Sequence, residues 1–369
     1  MIYREYGQTG DKVSLLGFGG MRFKNIDDHD ECIRLMIAAA EGGINYFDTA
    51  PGYFETRSET VFGKAFAQMR KLNLPFYCAT KTFESTESGI RREVEAQLKR
   101  LDIGTIDFYH IWCISTLNNW ENRKKDGILK TLAKLKEEGL IKHICISSHL
   151  IKNELKELLM EDVFEGVLFG YSAYNFKTRQ EAFDAVKEKK LGAVIMNPLG
   201  GGLIPDHPEL FRFLCRHGAS PSENIIAAAL RILWDHPEIT STLVGFDTIE
   251  HLNEALEAME NYKPRTLLEL EETKAKAAAF FERFTVPLCT GCAYCDKCPK
   301  KIPIPFFMDA YNHKILEKSA KDPIGDRLRW HWNINRSAAC ECSECGLCEE
   351  ACTQHIKIID RLKEISKQG

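Results

Sequence analysis

Three things are missing from this chain, and each removes a class of protein. It has no charge excess: 49 Lys and Arg stand against 53 Asp and Glu, a formal net charge of -4. That leaves no basic field to collect nucleic acid or anionic lipid. It has no apolar run long enough to span a bilayer, and Met1-Ile2-Tyr3-Arg4-Glu5 does not open a charged-then-apolar leader. The address this implies is the cytoplasm, with neither membrane nor nucleic acid as a partner. It also lacks Gly-x-Gly-x-x-Gly at a strand-to-helix turn, which argues against a dinucleotide fold of that type.

What is abundant is cysteine, fourteen in 369 residues. Cys32, Cys78, Cys113, Cys145 and Cys215 are scattered singly, whereas nine fall between 289 and 352. A secreted disulfide scaffold would be short and carry a leader, so ligand clusters in a reducing compartment are the better reading. With 44% hydrophobic residues the chain can bury one large core and still build a small second module.

From Leu15 onward, short apolar runs alternate with amphipathic stretches, the rhythm of parallel βα units. Glycines around Val13 to Leu16 suggest a hairpin closing the floor before the first barrel strand. Helices are predicted over 28–41, 57–69, 87–101 and 122–138. Strands follow at 142–147, 166–171, 193–196 and 242–245, completing eight. Earlier strands end in chemically useful residues. Ile44-Asn45-Tyr46-Phe47-Asp48 delivers a carboxylate, and a Pro51-Gly52 break then delivers Tyr53. The stretch 76–81 ends in Lys81 and 106–111 carries His110. In a barrel such ends gather at one face, where the βα loops are free to vary.

The ordered set Asn45-Tyr46-Phe47-Asp48-Thr49-Ala50-Pro51-Gly52-Tyr53, Ser58-Glu59, Gly63, Thr80-Lys81 and Asp107-Phe108-Tyr109-His110 resembles the aldo-keto reductases over roughly residues 1–260. The resemblance implies a (β/α)8 TIM-type barrel, a small-molecule carbonyl or alcohol substrate, and a catalytic tetrad of Asp48, Tyr53, Lys81 and His110. A phenol of ordinary pKa is a reluctant acid near neutrality, so Lys81 is expected to favour phenolate at Tyr53. Asp48 then holds Lys81, and a neutral His110 orients the carbonyl.

The same resemblance assigns a nicotinamide cofactor to the strand-end residues Ser147, Asn175, Pro198, Leu199, Gly200, Gly245, Asp247 and Glu254. A carboxylate at Asp247, together with Ala255 and Asn197 where relatives often carry Asn and Lys, disfavours the 2'-phosphate, so NADH is expected over NADPH. Cys113 reads as a small core residue. Pocket walls are assigned to long loops such as 114–125.

Past 265 the composition changes. A helical linker over 266–286 leads to a module at 287–369 holding Cys289-x-x-Cys292-x-x-Cys295-x-x-Cys298-Pro299 and Cys342-x-x-Cys345-x-x-Cys348-x-x-x-Cys352. This resembles a bacterial-type ferredoxin with two [4Fe-4S] clusters. The resemblance groups Cys289, Cys292 and Cys295 with Cys352, and Cys342, Cys345 and Cys348 with Cys298. The first run is one residue short before its last cysteine, and Thr353 replaces the usual proline. Zinc is the rival metal. Cys340 is left as a spare thiol, and Pro303, Pro305, Trp330 and Trp332 are expected to shield the clusters. The fold class is thus α/β, a barrel with a small C-terminal ferredoxin-like domain. Three functions fit: a nicotinamide-dependent reductase that also carries clusters; an electron-transfer enzyme served by an external carrier such as ferredoxin, without nicotinamide; and a redox adaptor on a retired barrel. The intact tetrad argues against the last.

Overall fold

A computed structural model describes residues 1–215, 224–284, 286–316 and 321–367, with Lys177 described by its backbone alone. Contacts divide it into two units. The first comprises Met1–Leu199 and His207–Ala278, the second Gly200–Asp206 and Ala279–Gly369.

In the first unit, β1 (Tyr3–Glu5) and β2 (Lys12–Ser14) form an antiparallel hairpin. Eight parallel strands follow: β3 (Leu16–Gly19), β4 (Tyr46–Asp48), β5 (Tyr77–Thr82), β6 (Ile106–Ile114), β7 (Ile141–Ser148), β8 (Gly166–Gly170), β9 (Gly192–Met196) and β10 (Ile239–Val244). They close into a barrel, each pairing with the next and β10 pairing with β3. The floor is a plug of Tyr6, Val13, Tyr46, Ala79, Phe108, Cys145, Leu168, Val194 and Leu243. Tyr6 and Phe108 rings lie 4.1 Å apart. Gly166 and Gly192 leave the room that Tyr6 fills, because a Cβ at either would meet its ring below 2.5 Å.

The predicted helices form with small shifts at their ends, with one break. The segment predicted as a single helix over 122–138 is two, Leu117–Lys125 and Ile128–Glu137, because Gly127 turns the chain at φ 87°. The first of these also occupies the stretch assigned to a pocket loop, so that wall is helical. Strand β6 runs three residues beyond its predicted end, carrying Trp112, Cys113 and Ile114 past His110.

The second unit has no β-strand among its described residues. Its helices Ile304–Leu316 and Ile358–Lys367 share a core of Ile304, Phe307, Met308, Leu328, Ile358, Leu362 and Ile365. The two cysteine runs have matching backbones. Gly291 (φ 63°) and Ala293 (φ 60°) are left-handed in the first, as are Glu344 (φ 56°) and Gly346 (φ 83°) in the second. Each run's last cysteine precedes a further left-handed residue, Lys301 or His355, whose amide donates back to that cysteine's carbonyl. An Ile-x-Ile step then enters a helix in both halves. Trp330 is exposed, while Trp332 stacks on Phe306 at 4.4 Å and donates to Asp309.

Candidate active site

Register brings the strand-end residues together: Lys81 pairs with His110 across β5 and β6, and Asp48 with Ala79 across β4 and β5. Lys81 Nζ donates to Asp48 Oδ1 at 2.5 Å and to the Thr49 carbonyl at 2.7 Å, and both side chains are almost wholly buried. Burial pushes the Asp48 carboxyl up and the Lys81 ammonium down, and each partner's charge opposes that. A second buried carboxylate, Glu59, supports this pair from behind. It accepts from Arg100 and from Thr80, while Gln97 bridges Glu59 to the Lys81 carbonyl.

Lys81 Nζ lies 5.0 Å from the centroid of the Tyr53 ring. The expected acidification of that phenol does not follow from the pair alone. Burial, then Asp48 and Cys113, push Tyr53 well above the ordinary phenol value, with Arg22 pulling the other way. Burial is the largest cause, and the nearby Asp48 carboxylate adds to it. The phenol therefore rests protonated, as a proton donor must. His110 is held neutral, its pKa lowered to about 3 by burial first and the Lys81 charge second. Its Nε2 meets the Tyr46 hydroxyl at 3.4 Å.

The strand-end residues assigned to a cofactor differ in what they offer. Ser147 Oγ is buried with no hydrogen-bond partner. Gly245 is exposed at the end of β10, ahead of the helix Ile249–Glu260, whose cap is Thr248. Asp247 hydrogen-bonds His251 one turn on. Glu254 is partly exposed on that helix and Ala255 is buried. Asn175 spends its amide on its own loop, accepting from the Ser172 N–H and donating to the Gly170 carbonyl. Pro198 is buried and Leu199 half-buried beyond β9. Gly200 opens a turn grouped with the second unit, where a Cβ on Gly201 would strike the Thr290 carbonyl.

Around Tyr53 stand residues that the motif search passed over. Trp112 meets the Tyr53 ring edge-on at 5.7 Å and stacks on Phe83 at 4.1 Å. The period-2 alternation of a strand puts Trp112 on the same face as His110, a signal already present in the sequence. Arg22 lies against Gly245, where a Cβ would meet its side chain; no pattern pointed to it.

In the second unit, Cys289, Cys292, Cys295 and Cys352 are mutual electrostatic neighbours, as are Cys342 and Cys348. Burial and these neighbours push Cys289 up to about 12 and Cys348 to about 11. Cys289 Sγ accepts from the Gly291 N–H and Cys352 Sγ from the Ile356 N–H. Asn312 clamps Cys289 by both its N–H and its carbonyl at 2.8 Å. Asp206, Asp309 and His313 also converge, but Arg327 bridges the two carboxylates.

A closed eight-stranded parallel barrel with ionisable groups near its strand ends is the architecture of an α/β-barrel enzyme. The chain belongs to the aldo/keto reductase family, whose profile matches residues 15–272. It is 27% identical to L-galactose dehydrogenase of Arabidopsis thaliana over 69% of this chain and 87% of that one. It is likewise 27% identical to the oxidoreductase YrpG of Bacillus subtilis over 70% and 91%. Among solved structures, the holo form of the aldo-keto reductase AKR11C1 from Bacillus halodurans superposes with TM-score 0.64 at 25% identity, covering 75% of this chain and 96% of that one. No helix among the described residues is long and apolar enough to cross a membrane.

Proposed function

We propose that this oxidoreductase reduces an aldehyde or ketone, or oxidises the matching alcohol, at Tyr53, Lys81, Asp48 and His110, and that its second unit holds two [4Fe-4S] clusters. The observation that carries the first half is the buried Lys81–Asp48 pair beneath a protonated Tyr53. A bound nicotinamide would supply or accept the hydride at carbon. Tyr53 passes its proton to the substrate oxygen, and Lys81, held by Asp48 and Thr49, stabilises the phenolate left behind. His110 stays uncharged and adds no second cation beside Lys81, with its Nε2 against Tyr46 of the floor, while Trp112 is the β6 side chain that meets Tyr53. The orphaned Ser147 Oγ and the exposed backbone at Gly245 fit a nicotinamide dinucleotide, with Asp247 favouring NADH over NADPH.

For the second half, the support is eight thiols on two backbone-equivalent runs with N–H groups donating to sulfur, a donor set suited to iron and sulfide. Such clusters supply one-electron storage and transfer, with an external carrier such as ferredoxin as their partner. On this reading the boundaries fall near 265 and 287, with a helical linker between. Protein purified without oxygen should be brown, carry about eight iron atoms per chain, and oxidise NADH in the presence of a carbonyl substrate. Tyr53→Phe should lower kcat by about 10²- to 10⁴-fold. Colourless, iron-free protein would remove the cluster half. Reduction by a low-potential donor with no response to NADH or NADPH would replace the hydride route with electron delivery through the clusters.

A further inference from the structure

Beyond Tyr53, the barrel rim holds two buried donors that have nothing to donate to. Arg123, on the helix Leu117–Lys125, is 8% exposed, and its Nη1 has no hydrogen-bond partner. No carboxylate among the described residues pairs with it. Trp112 is 2% exposed, and its indole Nε1 is equally without an acceptor. Phe83 links the two: its ring stacks on Trp112, and the Arg123 guanidinium carbon lies 5.9 Å from its centroid. Trp112 in turn meets Tyr53 edge-on. Cys113, in a left-handed conformation at φ 58°, lies within electrostatic range of both the Tyr53 phenol and the Arg123 guanidinium.

A guanidinium taken out of water is costly unless an anion meets it. Two other buried cations of the barrel obey this, while Arg179 reaches only the Leu150 carbonyl. Lys81 has Asp48, and Arg265 has Asp235 together with the Leu214 carbonyl. Arg123 instead lies beside an aromatic shelf that leads to the proton donor. We propose that the substrate is a carbonyl compound bearing a carboxylate, whose carbonyl meets Tyr53 while its carboxylate is received by Arg123 and the Trp112 indole N–H. This deepens the reductase reading above and rests on it. A planar two-oxygen acceptor suits one guanidinium edge and one indole N–H better than a phosphate, which calls for more donors.

The test compares 4-oxobutanoate with butanal, which differ by the carboxylate, and with glyceraldehyde 3-phosphate. The wild-type kcat/KM should favour 4-oxobutanoate over butanal by about 10- to 100-fold, the range of a charge-assisted hydrogen bond. Arg123→Met should erase most of that ratio, Trp112→Phe should lower it, and Arg123→Lys should keep part of it. Melting temperatures of the three variants separate loss of fold from loss of recognition. A wild-type ratio near one, a ratio unmoved in Arg123→Met, or a preference for the phosphate compound would overturn the assignment. Calorimetry with succinate, which cannot react, keeps this apart from the chemistry. If no aldehyde turns over, the reductase reading fails, and succinate binding that is lost in Arg123→Met still sustains the anion site. No succinate binding to the wild type would overturn it.

Discussion

Asp48 has two duties that a single substitution tests together. It supplies the counter-charge for the buried Lys81, and it fixes the ammonium near the Tyr53 ring. Asp48→Asn keeps the shape and leaves the cation unpaired, so it should destabilise the barrel by about 3–5 kcal/mol, the usual cost of breaking a buried ion pair. The double variant Asp48→Asn with Lys81→Met should recover much of that loss in urea unfolding while staying inactive. Equal stability of the single and double variants would mean that the pair is not coupled as drawn. At this scale the sequence was informative about the meeting of Asp48 with Lys81, but His110 meets Tyr46 and it is Trp112 that meets Tyr53. It was not informative about the phenol, because burial outweighs one compensated charge, and burial is a property of everything packed around the ring.

Elements explain why these side chains converge. The helix Arg57–Lys71 carries Glu59 to the back of Lys81, and it can approach the helix Glu87–Leu101 closely only because residue 63 has no side chain. A Cβ there would stand 2.1 Å from the Arg100 carbonyl oxygen. Backbone cannot give way as a flexible side chain would, so Gly63→Ala should cost about 1–3 kcal/mol, read as a lower urea midpoint at unchanged slope. Because Arg100 is also the partner of Glu59, kcat should fall as well. Wild-type stability in that variant would show that the two helices have slack. The split at Gly127 has a different cause, a left-handed backbone that glycine adopts without strain.

For the barrel as a whole, acid is the informative stress. His110, His149 and His236 are each buried neutral, with pKa values lowered to about 3 by burial. In the unfolded chain they return to about 6.5. Between those values the unfolded state binds protons that the folded state does not. The stability they lend is therefore complete above about pH 6.5 and is lost as pH falls toward 3, at roughly 1.4 kcal/mol per pH unit for each histidine. Urea midpoints of the barrel unit measured from neutral pH down to about 5 should drop steeply. A flat profile over that interval would show that these rings are not kept neutral.

The sequence alone determined the strand and helix alternation, the delivery of Asp48 and Lys81 to the ends of their strands, and the spacing of the two cysteine runs. Those depend on local periodicity and on short motifs, which survive in one dimension. Only the tertiary structure decided the burial of Tyr53, the helical wall at Leu117–Lys125, and the place of Arg123 beside Phe83. Each of these depends on which distant residues share a neighbourhood, and therefore on how much water and how many partners a group retains once the chain has closed.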